Sequence, residues 1–104
     1  MSETKKEVAL ANVNPENYFR VANGTVIKGL MDLDSSLESM SEETFKYHVN
    51  DYRNDFSTWI RETIKEEKLA NDLLLTRDKT KTQVLVLRGI VEITGIKHEQ
   101  ENIL

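Results

Sequence analysis

Apolar residues recur along this chain at two different periods, and the change from one to the other divides it into a short hairpin followed by helices. Two β-prone runs, 18–21 and 25–28, flank Asn23-Gly24, the dipeptide that best tolerates the positive φ angles of a type I′ turn. This predicts a β-hairpin. A lone hairpin is marginal in water, so Tyr18 or Phe19, together with Val21, Val26 and Ile27, must rest on helices.

From Leu30 the period lengthens. Leu30, Leu33, Leu37 and Met40 fall three or four residues apart and form one stripe of an amphipathic helix. Ser41, followed by Glu42 and Glu43, ends that helix and caps the next, whose inner face is predicted to carry Phe45, His48, Val49 and Tyr52. Asn54 and Asp55 supply a second cap and acidic first turn, opening a helix with Phe56, Trp59, Ile60 and Ile64 inward. The charged run 65–68 bends or interrupts it, and Leu69, Ala70, Leu73 and Leu74 carry a helical pattern on to Thr76. Residues 77–81 are polar and read as a turn.

The segment 83–96 suits either period. Val84, Leu85, Val86, Leu87, Ile90, Val91, Ile93 and Ile96 fit a buried strand as well as a helix, and Gly89 and Gly95 weaken both. Helix is the preferred reading, with a strand pair turning at Arg88-Gly89 as the alternative. Such a helix is apolar almost all round and must be central or shared with another chain, which points to homodimerisation.

The fold class expected is α+β and mostly helical: an N-terminal β-hairpin packed on a small bundle of about four helices. Residues 1–13 are expected to be a flexible tail, 14–97 a single globular domain beginning near Pro15, and 98–104 a polar C-terminal tail. At 104 residues, with 38% hydrophobic and 31% charged positions, the chain can bury one modest core. Eighteen acidic against 14 basic residues give a formal charge of −4, which disfavours nucleic acid as a partner. A helix-turn-helix over 42–64 is weakened further because 55–65 holds as many acids as bases. Cysteine is absent, which removes disulfides and thiolate chemistry and suits a cytoplasmic setting, and neither a signal sequence nor a membrane span is expected.

Candidate chemistry concentrates in 48–60. His48 and Asp55 could form an acid–base pair, and His48, Asn50, Asn54, Asp55 and Trp59 together form a candidate cluster, structural or ligand-binding. A histidine on an apolar helix face is more often a satisfied core residue, and Trp59 more often an anchor whose indole N–H meets an oxygen, here of Asn50 or Asp55, than the lining of a recognition pocket. The two histidines, His48 and His98, stand too far apart in sequence to suggest a metal site. The four glycines form no phosphate loop or dinucleotide fingerprint, so no cofactor is expected.

Phe45, His48-Val49-Asn50, Asn54-Asp55-Phe56 and Trp59-Ile60 resemble the signature of a small uncharacterised, mainly archaeal domain family, His-Val-Asn-x3-Asn-Asp-Phe-x2-Trp-Ile. Pro15-Glu16, Phe19, Asn23-Gly24, Val26-Ile27 and the first helix resemble it too, so the likeness runs over about 15–75. It implies no activity. Two departures stand out: Gly29 lies where the family offers a Ser-like cap, and the segment after Thr76 is more apolar than the family's charged last helix.

The function expected is a non-enzymatic protein–protein interaction or adaptor module, with a protein partner or homodimer. Its candidate interaction surface is Val84, Val86, Leu87, Ile90, Val91 and Ile93. The alternative is a small-molecule-binding or catalytic domain centred on His48, Asn50, Asp55 and Trp59.

Overall fold

A computed structural model of the chain describes residues 9–95. A 3-10 turn at Pro15–Asn17 leads into strands β1 (Phe19–Arg20) and β2 (Val26–Ile27), followed by helices α1 (Leu30–Ser39), α2 (Glu42–His48), α3 (Asp55–Trp59), α4 (Glu67–Leu73) and α5 (Lys79–Thr94). The architecture is α+β and mostly helical, as the patterning predicts. Ile96, His98 and the expected C-terminal tail lie outside the described residues.

The hairpin pairs Phe19 with Ile27 and Arg20 with Val26. Its turn differs from the type I′ expectation. Gly24 N–H donates to Val21 O at 2.9 Å and Val21 N–H to Thr25 O at 2.8 Å, which makes a three-residue loop. Gly24 alone in that loop has positive φ, at 95°. This is the geometry of a type I turn closed by a glycine bulge. Asn23 instead accepts Thr25 N–H on its side-chain oxygen at 2.9 Å.

The packed chain begins earlier than Pro15. Ala9 is buried, Leu10 and Val13 pack on the core, and Val13 N–H donates to Lys28 O at 2.8 Å. Of the expected N-terminal tail, residues 9–13 therefore belong to the fold. Their path also explains Gly29, since a Cβ there would stand 3.0 Å from Ala11 O and 3.3 Å from Asn12 Cα. Helix α1 therefore has no side-chain cap at Gly29, and Asp32 in its first turn accepts Lys28 N–H, the amide before the cap, at 2.9 Å.

Leu30, Leu33, Leu37 and Met40 are all buried, the predicted stripe of α1. Ser41 caps α2 by accepting Thr44 N–H at 3.0 Å, and Asn54 caps α3 by accepting Ser57 N–H at 3.0 Å. Helix α2 stops at His48, however. Val49 turns extended and forms an isolated antiparallel bridge with Asn54, so Tyr52 leaves the inner face and is 94% exposed. Helix α3 widens into a single π turn, Ile60–Ile64, that ends at Lys65 in the left-handed region, φ 68°. The charged run thus interrupts the helix as expected. Leu69, Ala70 and Leu73 of α4 are buried, whereas Leu74 already lies outside at 56% exposure.

The ambiguous segment is helical. It starts earlier than expected, at Lys79, because Asp78 accepts Lys81 N–H at 2.9 Å as an N-cap. Its inner face is Thr82, Val86, Gly89 and Ile90, packed across α1 and α4. Gly89 is where α4 comes closest, since a Cβ there would meet both methyls of Leu69 at 3.0 Å. Lys79 Nζ reaches back to Leu37 O at 2.9 Å and closes the C-terminal end of α1.

Two substitutions test this packing. Gly29→Ser, which restores the family-like cap, is expected to lower stability by about 1–3 kcal/mol, because the colliding atoms are backbone. Thr82 is fully buried and its hydroxyl has no hydrogen-bond partner among the described residues. Thr82→Val, which exchanges that hydroxyl for a methyl, is expected to raise stability by about 1 kcal/mol. Urea unfolding of both variants measures the two shifts.

Candidate functional site

The candidate cluster forms where α2 ends and α3 begins. His48 is the last residue of α2 and is buried, walled by the rings of Phe19, Tyr47 and Phe56 at centroid distances of 5.1, 5.0 and 5.4 Å. Its Nε2 accepts Ala22 N–H at 3.0 Å, and its Nδ1 lies 3.0 Å from Asp55 Oδ2. These two contacts settle the tautomer. A nitrogen that accepts from a backbone amide carries no proton, so the neutral ring keeps its proton on Nδ1 and donates it to the carboxylate.

Asp55 is in turn held by Arg53, whose Nε lies 3.3 Å from the same oxygen. The Arg53 guanidinium sits 4.6 Å above the Tyr47 ring and donates to Tyr47 O at 2.7 Å through its terminal nitrogen. Asn50 Nδ2 donates to Lys46 O and Tyr47 O at 3.0 and 3.1 Å, closing the end of α2. Asn54 serves as a cap on one side, and its amide nitrogen donates to Leu73 O at 3.2 Å on the other. Trp59 is buried, and its indole nitrogen donates to Asn17 O at 2.8 Å rather than to Asn50 or Asp55.

The five candidate residues are therefore neighbours along a network, each engaged by the chain itself. They do not converge on one opening. A shallow cleft of about 250 Å³ is lined by residues 49–54 with Leu74, Thr76 and Arg77, so Asn50 and Asn54 reach its wall while His48, Asp55 and Trp59 do not. Arg77 pairs with Asp51 across it. For acid–base chemistry the imidazole would need a free nitrogen facing a substrate, and both of its nitrogens are taken.

Sequence reasoning missed three features. Ser57 is buried, and its hydroxyl donates to Ala70 O at 2.7 Å, joining α3 to α4. An open cleft of about 440 Å³ lies between the N-terminal segment and the end of the π turn, with Ala9, Val13 and Ile64 against Asn14, Lys65 and Glu66. The third is a cluster of exposed apolar side chains, Tyr52 with Leu74 on the shared cleft and Tyr47 beneath Arg53. Tyr52 carries the only one of these signals visible in the sequence, as an aromatic residue between two charged ones.

On α5 the six candidate surface residues separate into two groups. Val86 and Ile90 are core, 0% and 8% exposed, and so removed from any surface, while Ile93 is half-buried with its packing turned to the core. Val84 and Leu87 stay 46% and 44% exposed, with half-buried Val91 one turn on. Along the flank of α5, Glu92 meets Lys68 of α4 at 3.5 Å. The hydrogen bond and charge of Asp72, and then the charge of Glu92, hold the Lys68 ammonium above its ordinary pKa.

Among the described residues no group of three or more His, Asp or Glu side chains could hold a metal ion, and no helix is long and apolar enough to cross a membrane. No protein-family model, no curated protein and no solved structure matches the chain.

The network predicts a stability phenotype. His48→Ala strands the Ala22 amide and the Asp55 carboxylate and opens a cavity between aromatic rings, a loss of about 3 kcal/mol. Asp55→Asn keeps an acceptor for Nδ1 and is expected to cost about 1 kcal/mol. Denaturant midpoints of the two variants separate these values; equal losses would mean that the ring does not bridge hairpin and helix.

Proposed function

We propose that this protein is a non-enzymatic interaction module that associates with itself through the outer face of α5. The observation that supports this reading is a single unpartnered stripe. Val84, Leu87 and Val91 follow one another at helical spacing outside the inner face of α5 formed by Thr82, Val86, Gly89 and Ile90, and the first two are nearly half exposed. The strong apolarity of the segment is thus only partly spent on the core.

An adaptor role draws support from the second exposed group, Tyr47 in the last turn of α2 with Tyr52, Leu74 and Leu75 in the loops that follow α2 and α4. Tyrosine and arginine on a surface fixed by ion pairs are the residue types that dominate protein–protein binding energy. A small-molecule or catalytic reading has less support, because the polar atoms it would use already serve the fold. A recognition helix for nucleic acid has little support either, since the exposed positions in 55–65 are Thr58, Glu62 and Lys65, one acid against one base. The cysteine-free composition is compatible with a cytoplasmic location, which belongs to the same proposal.

Sedimentation from micromolar to millimolar concentration tests self-association. The chain is expected to move toward dimer as concentration rises, and Leu87→Glu to stay monomeric while its unfolding free energy changes by no more than about 0.5 kcal/mol. A chain that remains monomeric throughout would remove this reading.

A further inference from the structure

We infer that the partner on α5 is a second copy of the same helix lying antiparallel, about a two-fold axis that passes at Leu87. This inference rests on the self-association reading above and adds its geometry.

The first support is the symmetry of the stripe. Val84 stands three residues before Leu87 and Val91 four after it. A two-fold axis at Leu87 therefore sets Val84 against the partner's Val91, Leu87 against the partner's Leu87, and Val91 against the partner's Val84. The mismatch is one residue, about 1.5 Å along the axis. A two-fold contact must be self-complementary, and this stripe is.

Charge supplies the second support. Successive helical residues are rotated by about 100°, so Lys81, Arg88 and Glu92 share one flank of the stripe while the other flank holds Gln83 and Thr94, and Thr80 continues the stripe itself. In an antiparallel pair each flank faces its own copy. Lys81 lies six residues before Leu87 and Glu92 five after it, so Lys81 comes beside the partner's Glu92 twice, once on each side of the axis. Both side chains are exposed, and Glu92 also meets Lys68 of its own chain at 3.5 Å, so the partner's Lys81 would share that carboxylate. A parallel pair would face the charged flank with the uncharged one and make neither contact, and it would align the helix dipoles unfavourably. Arg88 lies close to its own copy on the charged flank, which together with the short stripe makes the pair weak and readily exchanging.

The chain contains no cysteine, so single thiols report the geometry directly. Val84 and Leu87 have nearly equal exposure, 46% and 44%, which makes Val84→Cys a collision control for Leu87→Cys. In the antiparallel pair two thiols at 87 face each other, whereas two at 84 are about 9 Å apart along the axis, beyond disulfide reach. Leu87→Cys is expected to form the disulfide dimer about tenfold faster than Val84→Cys, and a mixture of Val84→Cys and Val91→Cys to give the mixed dimer. Lys81→Glu is expected to weaken association about threefold, and Lys81→Glu with Glu92→Lys together to restore it. If the unmodified chain sediments as a dimer and Val84→Cys crosslinks as fast as Leu87→Cys, the antiparallel geometry is wrong and self-association stands. If it sediments only as a monomer, both fail.

Discussion

A single buried imidazole connects the two halves of this protein. His48 accepts from the hairpin loop through one nitrogen and faces Asp55 through the other, so the hairpin, the end of α2 and the start of α3 share one side chain. Its surroundings enforce that role. Phe19, Tyr47 and Phe56 exclude water from the ring, which makes each hydrogen bond harder to replace and an unmatched one expensive. Trp59 repeats the device nearby, placing an indole between α3 and the carbonyl of Asn17. With Phe19 in contact with His48, Phe56 and Trp59, the small β element is anchored by aromatic packing and two long-range hydrogen bonds. Two residues in each strand could not hold it alone.

This arrangement gives the run from His48 to Ile60 a physical meaning. Its polar residues supply caps, bridges and latches, and Val49, Phe56, Trp59 and Ile60 face the common core while Tyr52 stays outside. Surface properties then fall to other parts of the chain. Arg53 and Arg77 are fixed to Asp55 and Asp51, and the large apolar side chains left outside lie at the ends of α2 and α4, on the outer face of α5 and, as Met31, on α1.

What could be read from the sequence follows the range of the interactions. Ser41 and Asn54 act on amides three residues ahead, and the leucines of α1 on one face of one helix, so both were legible. Tyr52 misled because α2 ends at His48 and the chain turns extended, which no spacing rule detects. The partner of Trp59 was also invisible. It is a backbone carbonyl 42 residues away, and backbone atoms leave no mark in a sequence. Ser57 was hidden for the same reason, since its acceptor is Ala70 O. In α5 the pattern showed an excess of apolar positions but not which of them α1 and α4 would cover. Gly29, read as a weak helix start, records the passage of a segment whose course only the tertiary structure shows.

Helix α5 packs across α1, although about forty residues and three helices lie between them. The stripe of α1 is thus synthesised well before the helix that covers it. Until α5 is made, Leu33 and Leu37 lack the helix that crosses them, and Lys79 cannot reach Leu37 O to finish the end of α1. The local caps can form early, but closure must wait for a contact of high sequence separation. In time as well as in space, α5 is the element that closes over α1.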